Sequence, residues 1–243
     1  DKDKKFEKWW PDLKNGIKQI GLEEPKAMYF PKGTYKAEYD EGLKKIGKAA
    51  FKNCESLSTV NIPASVIYLS TDLFRGCNGL KSIVVNPKNR YYKSEPNKRE
   101  GNDHVLFNKN KSVIIAYPAS SREVQYDIPD SVTHIKTEAF SHCRSLTSLD
   151  LPDGLKRIYD SAYTNCTSLS EIILPDGITH LGTDAFSGCD AVTKVYLPES
   201  LKVVGHGVLS GCTSLESIDI PDSVKTINSS AFYNCTKLDD VVI

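Results

Sequence analysis

Apolar residues in this chain keep a beat that belongs to neither a single helix nor a single strand. In residues 221–243 they fall at Val224, Ile227, Ala231, Phe232, Cys235, Leu238, Val241 and Ile243, with mostly polar residues between them. The same eight places return every 23 residues in units 40–62, 63–85, 129–151, 152–174, 175–197, 198–220 and 221–243. Cysteine marks the step at 54, 77, 143, 166, 189, 212 and 235, and proline at 63, 129, 152, 175, 198 and 221. A fixed period of this size is the mark of a solenoid: one unit cannot bury its apolar face alone, so stacked neighbours bury it jointly.

Places 1 to 23 count from the first residue of each unit, proline in most of them. Each unit ends in a stretch such as Leu215–Ile220, which alternates at its end and is rich in β-branched residues. It predicts a short strand with Ile218 and Ile220 facing inward. Proline follows and ends the pairing, because it has no N–H for the ladder. "SVKTI" predicts a second short extended stretch, and "SSAFYNC" a turn or a single helical turn. All units run in one direction, so the main strands stack in parallel at about 4.8 Å.

The recurring phrase L-x-x-I-x-I-P-x-S-V-x-x-I-x-x-x-A-F-x-x-C-x-S resembles the BspA-like class of bacterial leucine-rich repeats. Departures are confined to single places: Tyr163 and Leu209 stand for Phe, Val192 for Leu, and Gly79, Ala191 and Lys237 for Ser. The fold read from pattern and resemblance together is an α/β, β-rich leucine-rich-repeat solenoid. It consists of a curved parallel sheet of about nine short strands, with turns and short helical segments on the other side.

Two stretches fall off the beat. Residues 1–39 read as an N-terminal cap, in which "KNGIKQIG" (14–21) echoes "PDGITHLG" and Trp9 and Trp10 cover the end of the core. Solenoids need such caps. Residues 40–243 form the repeat domain, interrupted by an irregular insert at 86–128. The insert contains two more strand-proline endings, "SVIIAYP" and "EVQYDIP", and "HVLFNKNKSVIIAY" predicts a hairpin turning at Asn108 to Lys111. On this reading the insert supplies two of nine main strands, and the array is roughly 40 Å long at the strand spacing.

Charge adds an asymmetry that the total hides. The chain is neutral, yet residues 1–128 carry a net +7 and residues 129–243 a net −7. Laid end to end, the halves form a charge dipole able to steer an anionic partner to the amino-terminal half or to associate weakly head to tail at low salt; the preferred reading is the plainer one, solvated faces of uneven composition. No run of eighteen apolar residues is present, so no transmembrane segment is expected. Asp1 as first residue and Met28 as the only methionine suggest a processed or trimmed chain.

Seven cysteines invite readings as disulfides, metal ligands or a nucleophile. Their step puts each at an inward place, stacked coil on coil, where parallel side chains point the same way and an odd number cannot pair completely. Buried, reduced, hydrophobe-like thiols are the expectation. Structural zinc favours close pairs such as C-x-x-C, which the chain lacks, so no metal is expected. "GHGVLSG" (205–211) follows the repeat's own glycine places and is not read as a nucleotide loop. His134 and His180 share one place two units apart with Arg157 between them. Asn110, Asn165, Asn228 and Asn234 begin N-x-[ST] sequons, which matter only in a eukaryotic secretory pathway. Asp127 and Asp150 align outward on neighbouring strands at a separation that two-carboxylate glycoside hydrolysis could use. There is no nucleophile elbow, no ordered Ser/His/Asp set and no cofactor fingerprint, so neither an enzyme nor a cofactor is expected.

The candidate site is instead the outward place 22 of each strand: Asn61, Val84, Ala116, Asp127, Asp150, Ile173, Tyr196, Asp219 and Val242. This row mixes apolar, acidic and aromatic residues, which suits a protein partner better than nucleic acid. The insert adds Arg90, Tyr91, Tyr92, Lys93, Lys98 and Arg99 as a basic edge. The resemblance implies a secreted or surface-anchored bacterial protein, with a lipid anchor as one means of attachment, some of whose relatives are adhesins for matrix and plasma proteins such as fibronectin and fibrinogen. An intracellular scaffold and a glycan-active enzyme using Asp127 and Asp150 are the alternatives. The chain stops at Val241-Val242-Ile243 without a polar cap, so either a longer parent continues or two copies meet end to end.

Overall fold

A computed structural model describes residues 36–37, 42–96 and 104–243. Trp9, Trp10 and the 14–21 echo lie outside the described residues. Each coil binds its neighbours along three stretches. Main strands pair in parallel with a 23-residue offset, as in Thr59↔Ser82, Ser148↔Gln125, Glu171↔Lys194 and Ser217↔Asp240. Places 6 and 7 form a second parallel ladder on another side, exemplified by His134↔Arg157↔His180. The third link runs through the turn: the N–H at place 12 donates to the place 11 carbonyl of the next coil, as from Phe140 to Ala162 (2.7 Å) and from Tyr163 to Ala185 (2.7 Å).

The turn stretch is made of turns among the described residues, in place of the short helical segments expected. Two residues per unit lie in the left-handed region, which interrupts any helix. They occupy places 10 and 14, as Ser161 and Asn165 (φ 55° and 60°) or Asp184 and Gly188 (φ 54° and 70°). Asn and Gly fill most of the place 14 positions because they adopt this conformation at least cost. A Cβ on Gly188 would also collide with Oδ1 of Asn165 in the preceding coil. Place 1 proline opens a β-turn, its carbonyl accepting the N–H three residues on, as Pro152 does from Leu155 at 2.9 Å.

Inside, identical places stack on one another. Tyr117, Phe140, Tyr163 and Phe186 form a continuous aromatic column with centroids 4.9, 4.8 and 5.1 Å apart. Five cysteine thiols donate to the place 12 carbonyl of the preceding coil, from Cys77 to Phe51 at 2.9 Å to Cys212 to Phe186 at 3.5 Å. On the outside, hydroxyls repeat the step: Ser170 Oγ donates to the Thr147 carbonyl at 3.0 Å and Thr193 Oγ1 to the Ser170 carbonyl at 3.3 Å.

The insert breaks the stack. Tyr92–Pro96, His104–Asn108 and Val113–Ala116 form an antiparallel meander, which contains the expected hairpin and one strand the sequence pattern did not predict. Val113 and Ile114 then join His134 and Ile135 in the second ladder with an offset of 21 residues. "SVIIAYP" is therefore not a main strand, and Ala116 is 7% exposed and not on the outward row. Its proline ending matches the main-strand signature, but antiparallel pairing of Ala116 with Leu106 and of Ile114 with Phe107 sets its register. A ninth main strand comes instead from Lys36–Ala37, paired with Thr59 and Val60. His104–Asn108 sends Leu106 into an amino-terminal core and Val105 and Phe107 into a carboxy-terminal one.

Buried Asn89 fixes the insert to the array. Its Nδ2 donates to the carbonyls of Pro63 (2.9 Å) and Val66 (3.0 Å), and its Oδ1 accepts the N–H groups of Tyr91 (2.8 Å) and Tyr92 (2.9 Å). All four hydrogen-bonding positions of the amide are thus used.

One member of the aromatic column carries an unused polar group: the hydroxyl of fully buried Tyr163 has no hydrogen-bond partner among the described residues. Tyr163→Phe removes that cost and keeps the ring, so it raises stability by about 1 kcal/mol. Tyr163→Ala opens the column and lowers stability by about 3–5 kcal/mol. Equilibrium urea unfolding of both variants measures the two effects, and equal loss in both would contradict the assignment.

Candidate functional site

Place 22 alternates with inward places 21 and 23, so its side chain meets solvent in the carboxy-terminal coils. Ile173 and Tyr196 are register partners and each is 54% exposed. Asp127 and Asp150 are also directly paired, and both are exposed. Like charges opposite one another are tolerable only where water screens them. Asp219 pairs with Val242, exposed as well. Contiguous exposed apolar side chains with an acidic border are typical of contact surfaces rather than of solvated strands.

The row is split rather than continuous. Asn61 and Val84 pair with each other on the amino-terminal side, where both are half-buried, and the insert separates them from Asp127. The basic edge is likewise divided. Arg90 and Tyr91 are exposed, whereas Tyr92 and Lys93 begin a strand. The Tyr92 hydroxyl accepts the Leu69 N–H at 2.9 Å. Lys93 binds Glu95 at 2.6 Å, and Lys111 binds the same carboxylate at 2.5 Å. Burial alone would push the Glu95 carboxyl up, but hydrogen bonds from Lys111 and Lys93 hold it below the usual range. Lys98 and Arg99 lie outside the described residues.

A third feature escaped the sequence reading. Where the insert departs from the stack, a cleft of about 380 Å³ opens between Tyr68–Arg75 on one lip and Lys136, Thr137 and Glu138 on the other. Tyr92, Asn108, Val113, Ile115 and Ala116 also line it. Arg75 Nε reaches across to Glu138 Oε1 at 3.3 Å, while Glu138 Oε2 is buried with no hydrogen-bond partner among the described residues. Burial pushes the Glu138 carboxyl up; Arg75 opposes this and nearby Asp72 adds to it. The available signal was Glu138 itself, a long acid at left-handed place 10 (φ 58°), opposite Asp72 at the same place (φ 57°).

None of the seven cysteines is in a disulfide. Burial pushes the thiols of Cys77, Cys143, Cys166, Cys189 and Cys212 far up, so they stay protonated and are poor nucleophiles. His134 and His180 flank Tyr159, with ring centroids 6.2 and 6.0 Å away. Burial first, then Arg157 and Lys136, hold His134 below the usual imidazole value. In "GHGVLSG", Gly207 and Gly211 take the two left-handed places (φ 59° and 75°), which accounts for the glycines without a ligand. Iodoacetamide labelling of the native protein at pH 8, read by mass spectrometry, should modify half-buried Cys54 and Cys235 well before Cys143, Cys166, Cys189 and Cys212. Simultaneous labelling would show that the inner thiols are not enclosed.

The family model described as "BspA type Leucine rich repeat region" matches six copies over residues 26–113 and 119–239. Among solved structures, a leucine-rich repeat protein from Eubacterium ventriosum is 26% identical with a TM-score of 0.77, aligning 86% of this chain with 54% of that one. The pneumococcal vaccine antigen PcpA is 21% identical with a TM-score of 0.59, over 83% of this chain and 60% of that one. A leucine-rich cell surface protein from Faecalibacterium prausnitzii is 24% identical with a TM-score of 0.57, over 84% and 52% respectively. The chain therefore spans 52–60% of the length of these proteins. No curated protein matches it. Among the described residues, no helix is long and apolar enough to cross a membrane.

Proposed function

Since the chain belongs to the BspA-type leucine-rich repeat family, we propose that it is a secreted or cell-surface protein-interaction module. It holds a protein partner through the outward row of its carboxy-terminal coils. The observation that carries this reading is the exposed Ile173–Tyr196 pair, bordered along the row by Asp150 on one side and Asp219 on the other. An apolar and aromatic centre supplies contact energy once water is excluded, and the acidic border selects partners with basic residues around their own apolar anchor. Adhesion to a host matrix or plasma protein fits that chemistry, and the row acts without a cofactor. Arg90 and Tyr91 give a second, smaller edge, with Tyr92 and Lys93 holding it in place.

Fibronectin and fibrinogen, immobilised for surface plasmon resonance, are the probes. The wild-type protein binds at least one of them, and binding weakens as salt rises. Tyr196→Ala combined with Asp150→Asn reduces affinity by about thirtyfold, the effect of losing one central anchor. Arg90→Ala with Tyr91→Ala has a smaller effect. Undiminished binding by the Tyr196/Asp150 variant removes the row from the contact surface; binding to neither protein removes the matrix-adhesion reading.

A further inference from the structure

Charge on this protein is sorted by place as well as by half. Residues 129–243 hold eight Lys and Arg against fifteen Asp and Glu. Five of those cations, Lys136, Lys156, Arg157, Lys202 and Lys225, fall at places 5 to 8, the stretch of the second ladder, and none of the acids does. All five residues are exposed, and among the described residues none is in an ion pair. An acidic half of the molecule thus presents one face that is basic throughout.

At the centre of that face Arg157 is flanked by His134 and His180, its register partners on either side. Lys156 adjoins it in the chain, and Lys136 Nζ lies 5.2 Å from the centre of the Tyr159 ring. Ile135, Ile158 and Leu181 at place 7 point inward, so places 6 and 8 face solvent. Parallel pairing spaces these groups at about 4.8 Å per coil, in a file that runs along the stack. An oxyanion held in the fork of Arg157 meets an imidazole on each side.

The borders of the strip define the shape of its ligand. Asp153, Asp176 and Glu199 line one flank at place 2, and Asp160 and Asp184 stand on the other at places 9 and 10. A broad anionic surface such as a membrane meets those carboxylates and is repelled, whereas a linear polyanion lying along the strip avoids them. Spacing narrows the class further. Thr133, Lys156, Thr179 and Lys202 hold place 5 in successive coils, so the two ammonium groups stand about 10 Å apart with a hydroxyl between. Acidic polysaccharides separate their oxyanions with hydroxyls in the same way. Single-stranded nucleic acid needs open aromatic faces for its bases. Tyr159, the ring at the centre, already has His134, His180 and Lys136 against it.

We infer that the second-ladder face binds an acidic polysaccharide, whose sulfate or carboxylate groups meet Arg157, Lys156 and Lys136 between His134 and His180. This face lies on a different side of the coil from the outward row, and its test needs no protein partner, so either reading can fail alone.

Heparin dodecasaccharide and its fully desulfated, N-acetylated form are the probes, titrated into the whole protein by calorimetry and by NMR of the histidine side chains. The wild type binds at least one of them, and affinity falls as salt rises. The imidazole resonances of His134 and His180 shift more than that of His142. Weaker binding of the desulfated form assigns the contact to sulfate; equal binding assigns it to the carboxylates that both forms carry. Lys156→Gln with Arg157→Gln lowers affinity about tenfold, the effect of losing two exposed ion pairs. Lys194→Gln with Lys237→Gln removes the same charge elsewhere on the surface and leaves affinity within about twofold. Binding to neither glycan overturns the inference, as does an equal loss in the two double variants. Tighter binding of single-stranded DNA of matched charge, or of phosphatidylserine vesicles, also overturns it by giving the face to another class of polyanion.

Discussion

Every structural feature of this protein depends on one requirement: each coil must place its backbone donors opposite the acceptors of the next, at a constant offset of 23 residues. The requirement acts at three stretches of the coil at once, so the offset cannot drift. A one-residue slip in a main strand would move its inward residues to the outside. It would also break the turn link from Phe140 to Ala162, because the two left-handed residues that flank it could no longer coincide with those of the next coil. Register and side-chain burial are therefore the same fact seen from the backbone and from the core.

That fact explains the residue types better than hydrophobicity does. Place 12 is aromatic because rings about 5 Å apart, such as Phe140, Tyr163 and Phe186, match the rise per coil and stack face to face. Place 15 is cysteine because a small apolar side chain must sit beside a carbonyl that accepts one backbone N–H, as Phe140 does from Cys143 at 3.2 Å, and keeps a second lone pair. The S–H of Cys166 reaches the Phe140 carbonyl at 3.1 Å and keeps an otherwise apolar fit. The same enclosure that makes the thiol useful as a weak donor keeps it protonated and away from oxidants. A regular file of cysteines thus arises without any need for redox or metal chemistry.

How much was legible in the sequence follows from how often each place is sampled. Val66, Val132, Leu155 and Ile178 fill one inward place in four units, and all are fully buried, as the beat predicts. The insert occurs once, so its register had to be guessed from a signature. At Ala116, "SVIIAYP" resembles a main strand in composition, while antiparallel pairing with Leu106 decides its position. Tyr92 and Lys93 looked like loop residues because neither has the alternation of a strand, and partners far along the chain, Leu69 and Lys111, define their setting. Asn89 gave no signal at all: an asparagine after a proline reads as a turn residue, and only the fold brings the Pro63 and Val66 carbonyls to its amide. The cleft joins Asp72 and Arg75 to Glu138 across the whole insert, a juxtaposition that no local pattern contains.

Function in such an array concentrates where the register requirement is silent or unmet. Place 22 of the carboxy-terminal coils is silent: its side chain points to solvent, so it can be Asp at 127 and 150, Ile at 173 and Tyr at 196 without cost to the stack. The backbone beneath holds those side chains at about the strand spacing. A contact surface written there is rigid without contributing to stability, which lets its chemistry vary while the fold stays fixed. The insert is the opposite case. It replaces part of what it displaces, through Asn89, the Tyr117 amide and the antiparallel meander, and leaves a cleft lined by Asp72, Phe74 and Glu138. The row varies its side chains over a fixed backbone, whereas the insert changes the backbone pairing itself.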